Sequence, residues 1–78
     1  MLINELHIDQ NNIAFVPSLG ITFELNETGK EIIDLLKEIK TKDEIVHELA
    51  QKYEKDWREV YIDVEDFLLK LKLFGLYQ

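Results

Sequence analysis

Seventy-eight residues leave room for one domain and one small core, with a modest stability margin. The apolar fraction, 46%, is that of a folded protein, yet no window reaches the roughly 18 uninterrupted apolar residues of a membrane span, so neither a transmembrane segment nor a membrane partner is expected. Sixteen acidic against nine basic residues give a formal charge of −7, which repels a phosphate backbone and disfavours a nucleic-acid partner, and the absence of cysteine removes disulfides, thiolate zinc sites and a cysteine nucleophile.

The amino-terminal run "MLINELHIDQ" carries acids where a secretory signal has basic residues followed by a long apolar stretch, so the expected compartment is the cytoplasm. Its "ELHID" alternates at Leu6 and Ile8, "QNN" supplies turn residues, and "IAFVP" resumes a β-rich run that Pro17 ends. This is hairpin grammar. After "SLG" comes "ITFEL", where Ile21, Phe23 and Leu25 share one face and Thr22 and Glu24 the other, as in a half-buried third strand. Three strands leave two edges with unpaired backbone groups. The third strand has neither proline nor lysine to blunt its edge against an added strand.

From Asn26 the apolar period changes. Asn26 is a good N-cap, Glu27 suits the positive end of a helix, and Ile32, Ile33, Leu35, Leu36 and Ile39 supply one face, which predicts a first helix ending at Ile39. Thr41 followed by Glu44 is a capping-box pattern, and Ile45, Val46, Leu49, Ala50 and Tyr53 then recur at helical spacing. Asp56 with Glu59 repeats the arrangement before a third helix that starts at Trp57 and that Gly75 can terminate in the left-handed conformation. The predicted class is α+β, a single winged helix-turn-helix domain over residues 1–78 with a three-stranded antiparallel amino-terminal sheet followed by three helices.

The third helix carries more apolar residues than one face can bury. At about 100° per residue, Trp57, Val60, Tyr61, Val64, Phe67, Leu68 and Leu71 fall within roughly 120°, an ample core stripe. Ile62, Leu69 and Leu73 cluster within about 40° on the opposite side. Leaving such side chains in water forgoes about 1.5–3 kcal/mol for each that could be fully buried, so the stripe calls for a cover. The first helix or the terminal "LFGLYQ" could fold over it, a second copy could dimerise through it, or a peptide could lie on it. The peptide is favoured by the coincidence of an open strand edge with an apolar helix face, since an added strand gains affinity from main-chain bonds and selectivity from alternate side chains.

The blocks "ELNETGKEIIDLL", "KDEIVHELAQKY" and "DVEDFLLKLKLFGL" resemble successive blocks of the PqqD family, named for a protein of pyrroloquinoline quinone biosynthesis and containing recognition elements for ribosomally made, modified peptides. The resemblance covers about Leu6 to Leu76, and its most specific part is Leu25, Asn26, Thr28 and Gly29 followed by Ile32 and Leu36; Asp63, Val64, Phe67, Leu68, Leu71, Gly75 and Leu76 then fit in order. Two departures are visible: Lys37 to Lys40 stands where the family often has Asp-Gly, and Ile33 where it often has an aromatic residue. The resemblance implies a winged-helix domain without catalytic activity or cofactor. It implies a domain that binds the leader of a precursor peptide and delivers it to a maturation enzyme, often a radical enzyme using S-adenosylmethionine. It further implies that the leader adds a strand to the third strand beside the third helix, at Ile21, Thr22, Phe23 and Glu24 and at Ile62, Asp66, Leu69, Lys70 and Leu73. Ile21 and Phe23 are expected to contribute backbone only, since their side chains belong to the face turned to the core. The outward stripe is expected on that same surface.

Sharper chemistry finds little support. His7 and His47 stand on different elements without ligand-like spacing, so no metal is expected. Asp63, Glu65 and Asp66 fit a solvated face better than an acid/base pair, and they suit a basic leader. Gly29 lacks the glycine pattern of a phosphate loop and is read as a close-packing position, and Trp57 as a core residue. A DNA-binding regulator is opposed by charge, since Asp56 to Asp66 holds five acids and one base; a regulatory or dimerisation module is the alternative to peptide recognition, and an enzyme ranks last.

Overall fold

A computed structural model describes residues 2–77, which leaves Gln78 of the terminal segment outside the described residues. A 3-10 turn over Leu2–Glu5 precedes three strands, β1 (His7–Ile8), β2 (Ile13–Val16) and β3 (Ile21–Glu24), and three helices, α1 (Glu27–Lys37), α2 (Lys42–Tyr53) and α3 (Trp57–Leu73). The sheet is antiparallel in the order β1-β2-β3. This is the predicted α+β arrangement of an amino-terminal three-stranded sheet followed by three helices. Ala14 and Val16 of β2, with Leu25, face a core completed by Ile32, Ile33 and Leu36 of α1, Ile45 and Leu49 of α2, and Val60, Val64, Leu68 and Leu71 of α3.

Local chemistry explains the helix boundaries. The Asn26 side chain accepts from the Gly29 N–H at 2.7 Å, Thr41 and Glu44 form the reciprocal capping box, and the Asp56 carboxylate accepts from the Arg58 N–H at 2.9 Å. At the end of α3, Phe74 is the C-cap and Gly75 takes φ +76°; the Leu76 N–H donates to the Leu71 carbonyl and the Gly75 N–H to that of Lys72, each at 2.9 Å. These two bonds are the Schellman closure. They turn the chain inward, so Leu76 is fully buried and its carbonyl accepts from the Ile3 N–H at 3.2 Å. The 3-10 turn and the carboxyl-terminal segment thus brace each other, an arrangement that the amino-terminal sequence does not signal.

Three features depart from the sequence reading. α1 ends at Lys37, not Ile39: Ile39 adopts φ +63°, leaves the helical face and is 90% exposed. The same pair of backbone bonds closes this end, from Ile39 N–H to the Leu36 carbonyl and from Lys40 N–H to that of Leu35. A β-branched residue therefore holds a left-handed position that suits glycine, at a cost of about 1–2 kcal/mol. Trp57, read as core, is 58% exposed, because the first turn of α3 overhangs the body and Val60 is its first buried residue. Tyr53 is likewise exposed, its hydroxyl donating to Glu31 at 2.6 Å.

Replacing Ile39 by glycine is expected to stabilise the fold by about 1 kcal/mol, raising the melting temperature by roughly 4–8 °C as followed by circular dichroism. A lower melting temperature would show that the left-handed turn is not strained.

Candidate functional site

β3 forms one border of the sheet, and its backbone is satisfied on one side only. The register pairs Ala14 with Phe23 and Phe15 with Thr22, and the Leu25 N–H donates to the Asn12 carbonyl at 2.8 Å. Antiparallel strands alternate bonded and non-bonded pairs, so Leu25, Phe23 and Ile21 turn their N–H and C=O groups toward β2. The Asp9 N–H, donating to the Ile13 carbonyl at 3.0 Å, confirms the phase from the other side, since it directs Ile13 toward β1. Thr22 and Glu24 therefore direct their main-chain groups to the open edge. This reverses the expected division of labour, in which Ile21 and Phe23 supply backbone: their amides serve the sheet, and their half-buried side chains line its inner face.

Beside that edge lies a concavity of about 280 Å3 between β3 and the carboxyl-terminal half of α3, lined by Phe23, Glu24, Leu25, Phe67, Lys70, Leu71 and Phe74. Its apolar character is set by aromatic rings. Phe74 stacks on Phe23 with centroids 5.6 Å apart and planes 8° from parallel. Phe67 forms the wall shared with a second, more polar concavity of about 340 Å3, where Asn26, Thr28, Asp63, Asp66 and Lys70 converge. Gly29 lies at that junction, and a Cβ added to it would sit 3.0 Å from the Phe67 ring. The close-packing reading of Gly29 holds, because any side chain there would displace the ring that separates the two hollows.

The predicted site residues divide between surfaces. Phe23, Glu24 and Lys70 meet in the aromatic cleft, and Asp66 joins Lys70 in its polar neighbour. Thr22 presents its side chain on the outer face of the sheet. Ile21 is half-buried one step away from Phe23 on the inner face. Ile62, Leu69 and Leu73 are 59%, 56% and 80% exposed, and by helical phase they stand about a third of a turn from the aromatic wall. Leu69 instead borders a hollow with Lys42, Glu65 and Tyr77. The outward stripe and the cleft are thus separate surfaces of α3, contrary to the expectation that they coincide. The terminal segment does not bury the stripe, because Leu76 inserts into the core beside Ile3.

Phe67 and Phe74 are the site residues that sequence reasoning missed. Phe67 lies at the margin of the core stripe, and such a position on a helix broader than its support is the available signal. Phe74 immediately precedes Gly75, so it belongs to the helix end rather than to the periodic pattern.

Charged pairs hold the helices that carry the cleft. The Lys42 ammonium bonds the Glu65 carboxylate and donates to the Tyr61 hydroxyl at 3.0 Å, joining the start of α2 to the middle of α3. The bond from Lys42 holds the Glu65 carboxyl below the usual carboxylate range, and that to Glu65 raises Lys42. Glu31 is partly desolvated, which alone would raise it, but bonds from Lys52 and Tyr53 outweigh burial and leave it lowered. Glu44 is lowered by the Thr41 N–H of the capping box. Among the described residues, no three His, Cys, Asp or Glu side chains gather as metal ligands, and no helix is long and apolar enough to cross a membrane.

The chain matches the model of the family described as coenzyme PQQ synthesis protein D (PqqD) over residues 6–76. The chain is a member of the PqqD family. No curated protein and no solved structure matches it. In this PqqD-family chain the matched region takes in both walls of the cleft, from β3 to the end of α3.

The lowered carboxyls of Glu31, Glu44 and Glu65 fix the acid response. A depressed carboxylate stabilises the fold above its unfolded value, 4.5, and that contribution disappears as pH falls through the lower folded value. The melting temperature is therefore expected to hold near neutral pH and to fall below pH 4.5, with a smaller fall in Glu65→Gln. A melting temperature that keeps rising below that pH would mean that relief of the net negative charge outweighs these bonds.

Proposed function

We propose that this PqqD-family chain binds the leader segment of a ribosomally made precursor peptide and presents it to a modifying enzyme, a radical enzyme using S-adenosylmethionine. The leader adds a strand to β3, alongside α3. The observation that carries this reading is the open edge at Thr22 and Glu24, set directly beside the cleft formed by Phe23, Phe67 and Phe74. Main-chain donors and acceptors on one wall and an apolar hollow on the other are the two components of recognition by strand addition. Asp66 and Lys70 stand at the rim, where charged leader side chains would meet them.

The chain works without chemistry of its own and without a cofactor. Its contribution is to order a flexible peptide, so the binding free energy carries the cost of that ordering and settles at roughly −8 to −12 kcal/mol, micromolar to nanomolar affinity. A DNA-binding role is opposed by the exposed acids Glu59, Asp63, Glu65 and Asp66 on α3.

Thr22→Pro tests the reading directly. Proline removes an N–H that the fold does not use, and it is tolerated on a strand border facing solvent. The variant is expected to keep its circular dichroism spectrum and melting temperature within a few degrees while losing at least tenfold in affinity for the cognate leader, measured by calorimetry. Unchanged affinity in a folded variant would remove strand addition from the account.

A further inference from the structure

We infer that the outward stripe of α3 pairs with the same stripe of a second copy of this chain, the two helices running antiparallel. Ile62, Asp66, Leu69 and Leu73 are all exposed, and they follow one another at intervals of four, three and four residues. That alternation is the seam spacing of paired helices, in which each seam residue inserts among residues of the facing helix. The described residues leave the seam open, since Ile62, Leu69 and Leu73 each stay more than half exposed.

The order of residues along α3 points to a second copy as the occupant, because the surface is complementary to itself. Ile62 and Leu73 stand at equal distances from a midpoint between Phe67 and Leu68, and so do Asp66 and Leu69. A two-fold axis through that midpoint sets Ile62 against the partner's Leu73 and Asp66 against the partner's Leu69, each contact occurring twice. By helical phase, Asp63 and Lys70 flank the stripe on one side and Glu65 and Lys72 on the other, all four exposed. Each of these pairs is symmetric about the same midpoint to within one residue. The axis therefore brings Asp63 to the partner's Lys70 and Glu65 to the partner's Lys72, giving oppositely charged neighbours along both flanks. A parallel pair would instead press the two Asp66 carboxylates together within the seam. In the antiparallel pair Asp66 faces leucine, with the partner's Lys70 one residue away.

The association is weak and reversible. α3 spans 17 residues, about 25 Å, and two such helices bury less than the roughly 1,200 Å2 at which stable interfaces begin. The net charge of −7 adds a general repulsion. At an ionic strength of about 0.15 M that repulsion is screened beyond roughly 8 Å, a range that leaves adjacent flank charges in contact with each other. Phe67 and Phe74 lie on the Asp63 and Lys70 side of the stripe, so the pair opens both aromatic clefts on one face and brings the partner's Asp63 to Lys70 at the cleft rim.

Sedimentation equilibrium of the full chain at about 0.15 M salt, over roughly 20 µM to 1 mM protein, tests the pairing with Leu69→Lys and Asp66→Leu beside the wild type. The wild type is expected to show a reversible monomer–dimer equilibrium in the upper part of that range. Leu69→Lys is expected to stay monomeric, whereas Asp66→Leu makes the seam continuously apolar and should dimerise at least tenfold more tightly. Leu69→Gln replaces the lysine variant if circular dichroism shows that variant unfolded. Monomers throughout in both the wild type and Asp66→Leu would overturn the inference, as would dimerisation that Leu69→Lys leaves unchanged. Orientation is read by disulfide trapping, for which a chain without cysteine is well suited. Ile62→Cys and Leu73→Cys are mixed in equal amounts and oxidised, and the products are separated by mass. The mixed disulfide is expected to exceed each like-with-like product at least fivefold; a statistical mixture, or an excess of like-with-like products, would overturn the antiparallel register. No leader is present in these samples, so their failure leaves strand addition standing, and failure of the Thr22→Pro test leaves this pairing standing.

Discussion

The backbone of β3 is hydrogen-bonded along one border and bare along the other, and the proposed site depends on that bare border. An isolated three-stranded sheet of such short strands has little stability, so the helices must cover one face. They do so without covering the border: Gly29 of α1 lies against Phe67 of α3, and a hollow opens between β3 and α3. Exposed edges promote nonspecific pairing unless something limits them. Here the edge is very short, with Thr22 and Glu24 as its outward-facing residues, and the net charge of −7 opposes association with further copies.

Much of this fold is written in short-range chemistry. The caps at Asn26, at Thr41 with Glu44 and at Gly75 depend on side chains or a conformation that act within a few residues, and the structure places them as their residue types predict. The inward face of β3 is legible for the same reason, since alternation is a local pattern. Ile39 and Trp57 mislead because periodicity assigns a residue to a face without knowing where the face ends. One lies past the last turn of α1, and the other precedes the first supported turn of α3. At Ile39 the family resemblance held the missing clue: the chain departs from an Asp-Gly pattern at the turn where the backbone adopts a positive φ.

The candidate site was legible in outline and displaced in detail. Sequence reasoning joined an open edge to an apolar helix face, and the structure provides both, but the face beside the edge belongs to Phe67 and Phe74 rather than to Ile62, Leu69 and Leu73. A helical wheel gives angles around α3 and says nothing about which angle meets β3. Only the packing of Phe67 against Gly29 and the stacking of Phe74 on Phe23 set that phase. Which strand residues present their amides outward was equally hidden, because it depends on the Ala14–Phe23 register and not on residue type. In the proposed reading, the aromatic rings and the bare border would together seat a flexible peptide, by combining an apolar hollow with directional main-chain bonds.

Amide hydrogen exchange resolved by residue tests this central claim most directly. In the free chain the Thr22 and Glu24 amides are expected to exchange much faster than that of Phe23, and on adding the cognate leader they alone within β3 should slow by an order of magnitude or more. Equal protection of all three amides in the free chain, or slowing confined to α2 when the leader is added, would contradict the account.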